Sequence, residues 1–146
     1  MRYTLGLLLL LVTQSMSAQN LFGFWKNIDD EDGKAKSIIE IYEEEGRVHA
    51  KVVKLLEAAT LTHCHKCKGE NKDASIEGMK IMWDLQLENE RREKAKSGKI
   101  LDPKKGKVYD CKIELKKEGE LKVRGYIKSP VFGRSQTWYR TDAPVQ

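Results

Sequence analysis

The stretch from Tyr109 to Ile127, YDCKIELKKEGELKVRGYI, decides the fold. Apolar and charged residues alternate through 109–115 and again through 121–127, which is typical of β-strands with one buried face. Between the two runs, Lys117-Glu118-Gly119-Glu120 supplies the polar, glycine-containing turn of a hairpin. The sequence therefore predicts an antiparallel strand pair, and its pattern recurs along the chain.

Other segments show the same two-residue period. Met79–Leu87 alternates almost strictly, while Ser37–Tyr42 and Arg47–Leu56 flank a turn that ends at Gly46. Strands of this length and spacing predict an all-β fold, a single antiparallel up-and-down β-barrel of about eight strands. The exception is the polar segment 88–97, whose helix-forming residues and i,i+4 charge pairs predict one short exposed helix.

The two ends of this pattern carry matching aromatic and basic residues. Gly23-Phe24-Trp25 opens the first strand, and Trp138-Tyr139-Arg140 ends the last one. Closure of a barrel makes the first and last strands neighbours. We therefore expect the Arg140 guanidinium to pack on the Trp25 ring, as a structural contact that closes the barrel and not as part of an active site.

The first residues have the features of a secretory signal. Arg2 precedes the apolar run 5–12, which is too short to span a bilayer, and small residues follow at Ser15, Ser17 and Ala18. The prediction is a signal peptide over residues 1–18, one domain over 19–146, and a secreted or periplasmic protein with no transmembrane anchor.

Composition and motifs exclude several classes of function. The chain has 27 Lys and Arg against 22 Asp and Glu, with the charges intermixed, so nucleic-acid binding is not expected. The spacing within Asp29–Gly33 does not fit a calcium loop, and 29–33 is interpreted as a solvated hairpin loop. No nucleophile arrangement or phosphate-binding loop is recognised, so no enzymatic activity is predicted.

The densest chemical cluster is His63-Cys64-His65-Lys66-Cys67. Four alternatives stay open for it: a Cys64–Cys67 disulfide, a disulfide that uses Cys111, a metal site, or redox catalysis. Export favours a disulfide, and Cys111 on a strand face is interpreted as a buried thiol. Zinc is the only cofactor considered, with Cys64 and Cys67 as ligands and His63, His65 and Cys111 as further candidates.

A series of short motifs runs through the whole mature segment. They are Gly23-x-Trp25, Asp30-x-Asp32-Gly33, Cys64-x-x-Cys67, Ile76-x-Gly78-Met79, Gly98-Lys99-Ile100-Leu101-Asp102-Pro103-x-x-Gly106-Lys107-x-Tyr109, Val123-Arg124-Gly125-Tyr126 and Phe132-Gly133-Arg134-x-x-Thr137-Trp138-x-Arg140. In this combination the chain resembles a secreted bacterial family catalogued as domain of unknown function 2147. The resemblance implies a lipocalin-like barrel, related in shape to the calycins and exported to the periplasm or beyond. It brings no established activity and no catalytic residues.

The barrel interior is the remaining candidate site. The alternation predicts that an apolar set faces inward and lines any cavity: Trp83, Tyr109, Ile113, Val123, Ile127 and Trp138. One hypothesis is a binding module for a small apolar or amphipathic molecule. The alternative is a structural or interaction protein of the cell envelope, with a filled barrel and the Cys64–Cys67 loop as a protein contact or metal site.

Overall fold

The computed structural model describes residues 19–145, which form eight strands and one 3-10 turn. The strands, numbered in chain order, are β1 (Gly23–Ile28), β2 (Ala35–Glu44), β3 (Arg47–Leu55), β4 (Lys80–Leu87), β5 (Lys94–Asp102), β6 (Lys107–Lys117), β7 (Glu120–Tyr126) and β8 (Gly133–Arg140). A 3-10 turn, Gly69–Asn71, lies in the β3–β4 connection. The predicted signal peptide 1–18 lies outside the described residues.

The strands form one closed antiparallel barrel in which each pairs with its neighbours in sequence. The barrel closes between β1 and β8, where Trp25 is the register partner of Arg140. Inward-facing residues of every strand meet in one hydrophobic core. The predicted antiparallel, up-and-down barrel of about eight strands is confirmed.

The helix predicted near residues 88–97 is wrong. Residues 88–93 are a turn, and β5 begins at Lys94. Two of the charges that suggest i,i+4 helix pairs have other partners: Lys94 Nζ lies 2.8 Å from Glu114 of β6, and Glu88 lies 2.8 Å from Lys96 Nζ of β5. Ala95 is fully buried and faces inward. A small residue is sufficient at this position, so the segment shows no large apolar residue that would mark it as a strand.

The two ends of the barrel differ. At one end, the short β2–β3, β4–β5 and β6–β7 turns meet residues 19–22, and the fully buried Leu21 closes the barrel there. At the other end lie the β1–β2, β3–β4, β5–β6 and β7–β8 connections, and this end is open. No helix within residues 19–145 is long and apolar enough to cross a membrane.

Candidate functional site

A cavity of about 580 Å³ enters the barrel from the open end. Its size falls within the range of small-molecule pockets, about 300–1,000 Å³. The walls are largely aliphatic and aromatic side chains contributed by all parts of the barrel: Ile39, Val52, Leu55, Leu61, Ile76, Ile81, Ile100, Leu101, Tyr109, Val123 and Trp138. The barrel is therefore hollow toward its open end.

A line of hydrogen bonds connects the apolar wall to the rim. The Gln136 Oε1 atom accepts hydrogen bonds from Asn27 Nδ2 at 3.1 Å and from Trp138 Nε1 at 3.3 Å. Its amide nitrogen donates to Asp30 Oδ1 at 3.2 Å. These side chains all line the cavity, so its β1–β8 wall offers polar groups above an apolar floor.

The rim is charged, and several of its charges are paired. Arg134 donates to Asp30, and Lys104 Nζ lies 2.5 Å from Glu31. Burial opposes ionisation of Asp30, but the hydrogen bonds from Arg134 and Gln136 outweigh it and lower the pKa of that carboxyl. The hydrogen bond from Lys104 likewise lowers the pKa of Glu31. The β1–β2 loop, interpreted from sequence as only solvated, is thus one side of the cavity mouth.

Tyr109, Val123 and Trp138, which the sequence placed inside, line the cavity, and Ile127 lies at its mouth with 60% of its surface exposed. Ile113 is buried in the core but is not part of the cavity wall. Sequence reasoning missed Asn27 and Gln136, although Gln136 shares the strand face of Trp138 by simple alternation.

Trp83 is only partly buried, does not line the cavity, and pairs with the exposed Lys99. A register irregularity in β4 explains this position. Ile81 and Met82 are both buried where the β3–β4 pairing shifts, so the alternation reverses before Trp83. The positive φ of 62° at Asp84 lies just before Leu85, which is buried again.

The Cys64–Cys67 pair forms a disulfide, with 5.3 Å between the Cα atoms. This settles the pairing among the alternatives that the spacing left open. His63 and His65 are exposed; His65 Nδ1 lies 2.9 Å from Asp73 Oδ1. Joined sulfurs offer no thiolate to a metal, so zinc binding through them would require the reduced form.

The disulfide loop packs against the β5–β6 turn at the open end. A Cβ atom added to Gly106, which has a φ of +65°, would lie 2.0 Å from the Lys66 carbonyl oxygen. Cys64 Sγ lies 3.3 Å from the Pro103 carbonyl oxygen; because the sulfur is oxidised, this is a contact without a proton to donate. The loop therefore supports the turn that carries part of the cavity rim.

Cys111, the third cysteine, is a free and fully buried thiol. Burial raises its pKa well above the usual thiol range. A protonated, buried thiol of this kind is a poor nucleophile at neutral pH. Its place in the β6 wall is that of a small apolar side chain.

Arg140 and Trp25 are in contact at the closed end, away from the cavity. The guanidinium carbon lies 3.9 Å from the Trp25 ring centroid, and its nitrogens donate to the carbonyls of Phe22 and Asn20, each at 2.5 Å. A Cβ atom on Gly23, whose φ is +112°, would lie 3.0 Å from the same guanidinium. The Gly-x-Trp opening thus leaves space for the arginine and supplies the ring beneath it.

The chain is similar to a solved structure, protein HP1028 from the human pathogen Helicobacter pylori, which is described as belonging to the lipocalin family. The identity is 20%, the match covers 84% of each chain, and the TM-score is 0.73, so the likeness concerns the fold. No curated protein matches the chain. The model of one family, uncharacterized proteins conserved in bacteria (DUF2147), matches residues 23–140, and the chain belongs to that family.

Proposed function

We propose that this protein is an exported binding module that holds one small amphipathic molecule in its barrel. The observation that carries the proposal is the cavity of about 580 Å³, open at one end, with apolar walls and a polar line at one side. An apolar body would lie against residues such as Ile39 and Val123, where burial of apolar surface contributes roughly 25 cal/mol per Å². A polar end group would lie near Gln136 and the charged rim.

The alternative hypothesis, a filled barrel that acts as an envelope scaffold, fits this interior less well. Protein interiors pack at the density of organic crystals and contain few voids larger than a water molecule. A protein that serves only as a scaffold would gain no stability from a cavity of this size. An envelope protein partner at the Cys64–Cys67 loop stays a prediction, as do export itself and a role without catalysis.

The proposal can be tested by titrating the purified protein with a fluorescent amphipathic probe, 1-anilinonaphthalene-8-sulfonate. Val123→Phe and Gly125→Val would each add side-chain volume to the cavity wall. Gly125 lies opposite Ile100 and Tyr109 with ordinary contact distances of 3.5 Å for an added Cβ atom. We expect each variant to weaken probe binding at least tenfold.

Thr137→Phe is the matched control, since Thr137 is exposed between two cavity-lining residues of β8 and faces away from them. It should bind the probe as the unmodified protein does. Native mass spectrometry of the unmodified protein should show a bound small molecule. The proposal is refuted if the unmodified protein binds no probe and carries no ligand, or if both filling variants remain folded and bind the probe undiminished.

A further inference from the structure

The β7–β8 connection presents apolar side chains to solvent at the mouth of the cavity. Val131 is 78% exposed, Phe132 72% and Ile127 60%. Phe132 and Ile127 also line the cavity, whereas Val131 does not. Exposed apolar side chains that lie together on a protein surface are typical of sites that bind a membrane, a ligand or another protein.

Hydrogen bonds fix the conformation of this connection, so the exposed apolar side chains belong to an ordered segment. The Phe132 nitrogen donates to the Ser129 carbonyl at 2.9 Å, and the Ile127 nitrogen donates to the Phe132 carbonyl at 3.0 Å. From β7, Arg124 Nε donates to the Pro130 carbonyl at 2.7 Å. These bonds satisfy the backbone while Val131 and Phe132 project outward.

Three lysines lie at the same end of the barrel as this apolar tip. Lys105 shares the cavity mouth with Phe132, Lys107 lines a neighbouring pocket with Ile127, and Lys128 follows Ile127 in the chain. Within residues 19–145, none of these three lysines forms a salt bridge, although many other lysines of the chain do. Val108, 52% exposed, extends the apolar surface beside Lys107.

The acidic residues of the same end cancel this charge only in part. Asp29 and Asp102 line the mouth without a salt bridge to any described residue, but they lie in the β1–β2 loop and at the end of β5, not in the β7–β8 connection. Asp30 and Glu31 are bound by Arg134 and Lys104, and Asp32 lies 2.5 Å from Lys36 Nζ. The β7–β8 connection itself, residues 127–132, contains Lys128 and no acidic residue, so the edge with the apolar tip carries a positive charge. Lysines near an anionic bilayer surface each contribute about 1 kcal/mol to binding.

We propose that this edge is a docking surface for an anionic lipid bilayer, with the apolar tip entering the interface and the three lysines contacting lipid headgroups. The surface comprises Ile127, Val131, Phe132, Lys105, Lys107 and Lys128. Docking would bring the cavity mouth to the membrane, where an amphipathic molecule could pass between bilayer and barrel. The docking surface rests on its own observations, and only this transfer role rests on the proposed function.

The test is sedimentation of the purified protein with phosphatidylcholine vesicles that contain or lack phosphatidylglycerol. All preparations are checked by intact mass, so that every variant has the same N-terminus. We expect binding to the anionic vesicles and much weaker binding to the neutral ones. Val131→Asp should weaken binding at least tenfold, and Tyr139→Asp, at an exposed position on the barrel side, should not.

Charge is tested by replacing Lys105, Lys107 and Lys128 together by Gln, which should lower the partition coefficient on the order of a hundredfold at about fivefold per lysine. The control carries Gln at Arg47, Lys112 and Lys122, which lie on the barrel wall and at the closed end. It changes the net charge equally, so it separates the surface from the basic character of the whole chain.

The docking proposal is overturned if the protein does not bind anionic vesicles, if it binds both kinds equally, or if the two triple variants lose binding to the same degree. Capture of a protein instead of lipid, with no vesicle binding, would also overturn it. Val131→Asp should leave titration by the soluble probe unchanged, since Val131 is outside the cavity wall. Failure of docking and failure of ligand binding are therefore distinguishable.

Discussion

Replacement of Arg140 by Ala tests the closure of the barrel most directly. The change removes the guanidinium stacked on Trp25 and the two hydrogen bonds to the carbonyls of Phe22 and Asn20. A cation–π contact contributes about 0.5–2 kcal/mol, and a hydrogen bond from a charged group about 1.5–3 kcal/mol. Water can reach part of this site and replace some of the lost bonding. We therefore expect the free energy of unfolding to fall by about 2–4 kcal/mol.

Urea unfolding monitored by tryptophan fluorescence measures this loss, since Trp25 itself reports on the contact. With a slope of roughly 2 kcal/mol per molar urea, typical of a small domain, the midpoint should fall by about 1–2 M. Arg140→Lys keeps the charge but not the planar guanidinium group. Its urea midpoint should lie between those of Arg140→Ala and the unmodified protein. Arg47→Ala removes an exposed arginine elsewhere and should change stability by less than about 0.5 kcal/mol.

The contact lies at the closed end, so Arg140→Ala should leave the affinity for the fluorescent amphipathic probe within about twofold at temperatures where the variant is folded. A loss of stability below about 1 kcal/mol would refute the role given to Arg140. So would an intact unfolding midpoint with abolished probe binding, because that result would place the arginine in the ligand site.

Three further outcomes follow from the structure. Cys111 should resist alkylation by N-ethylmaleimide in the native protein and react on unfolding; rapid native labelling would contradict its burial. Gly106→Ala should lower the melting temperature, because the added methyl group meets the Lys66 carbonyl and the backbone has positive φ; an unchanged melting curve would contradict this packing. The lowered pKa of Asp30 stabilises the fold above its unfolded value of 3.8, and this contribution is lost as pH falls through the lower folded value. Arg134→Met should therefore make thermal stability less dependent on pH below about 4, and an unaltered pH profile would count against the pair.

Much of the cavity wall could be predicted from alternation alone. Tyr109 and Val123 lie where period two places them, because their strands run without irregularity through the wall. Trp83 does not, since the bulge in β4 reverses the alternation and no residue type in 79–87 marks the extra residue. The helix prediction for 88–97 was wrong for a related reason. Alternating charges are compatible with the surface of a helix and with a solvent-facing strand equally well.

The rim could not be predicted, because its pairs join residues distant in sequence. Asp30 and Arg134 meet only when β1 and β8 are neighbours, and Lys104 reaches Glu31 across the open end. Sequence could describe 29–33 only as an acidic loop. Its function as one side of a cavity mouth depends on which loops the barrel brings to the same end.

The sequence by itself determined the barrel, since local alternation and turns specify strands, and the Gly23-Phe24-Trp25 and Trp138-Tyr139-Arg140 ends specify closure. Only the tertiary structure decided that the interior is hollow toward one end and that the apolar tip and unpaired lysines stand beside its opening. Strand patterns record which side chains face inward, but whether those side chains fill the space depends on the barrel's diameter and on the bulges that redirect them.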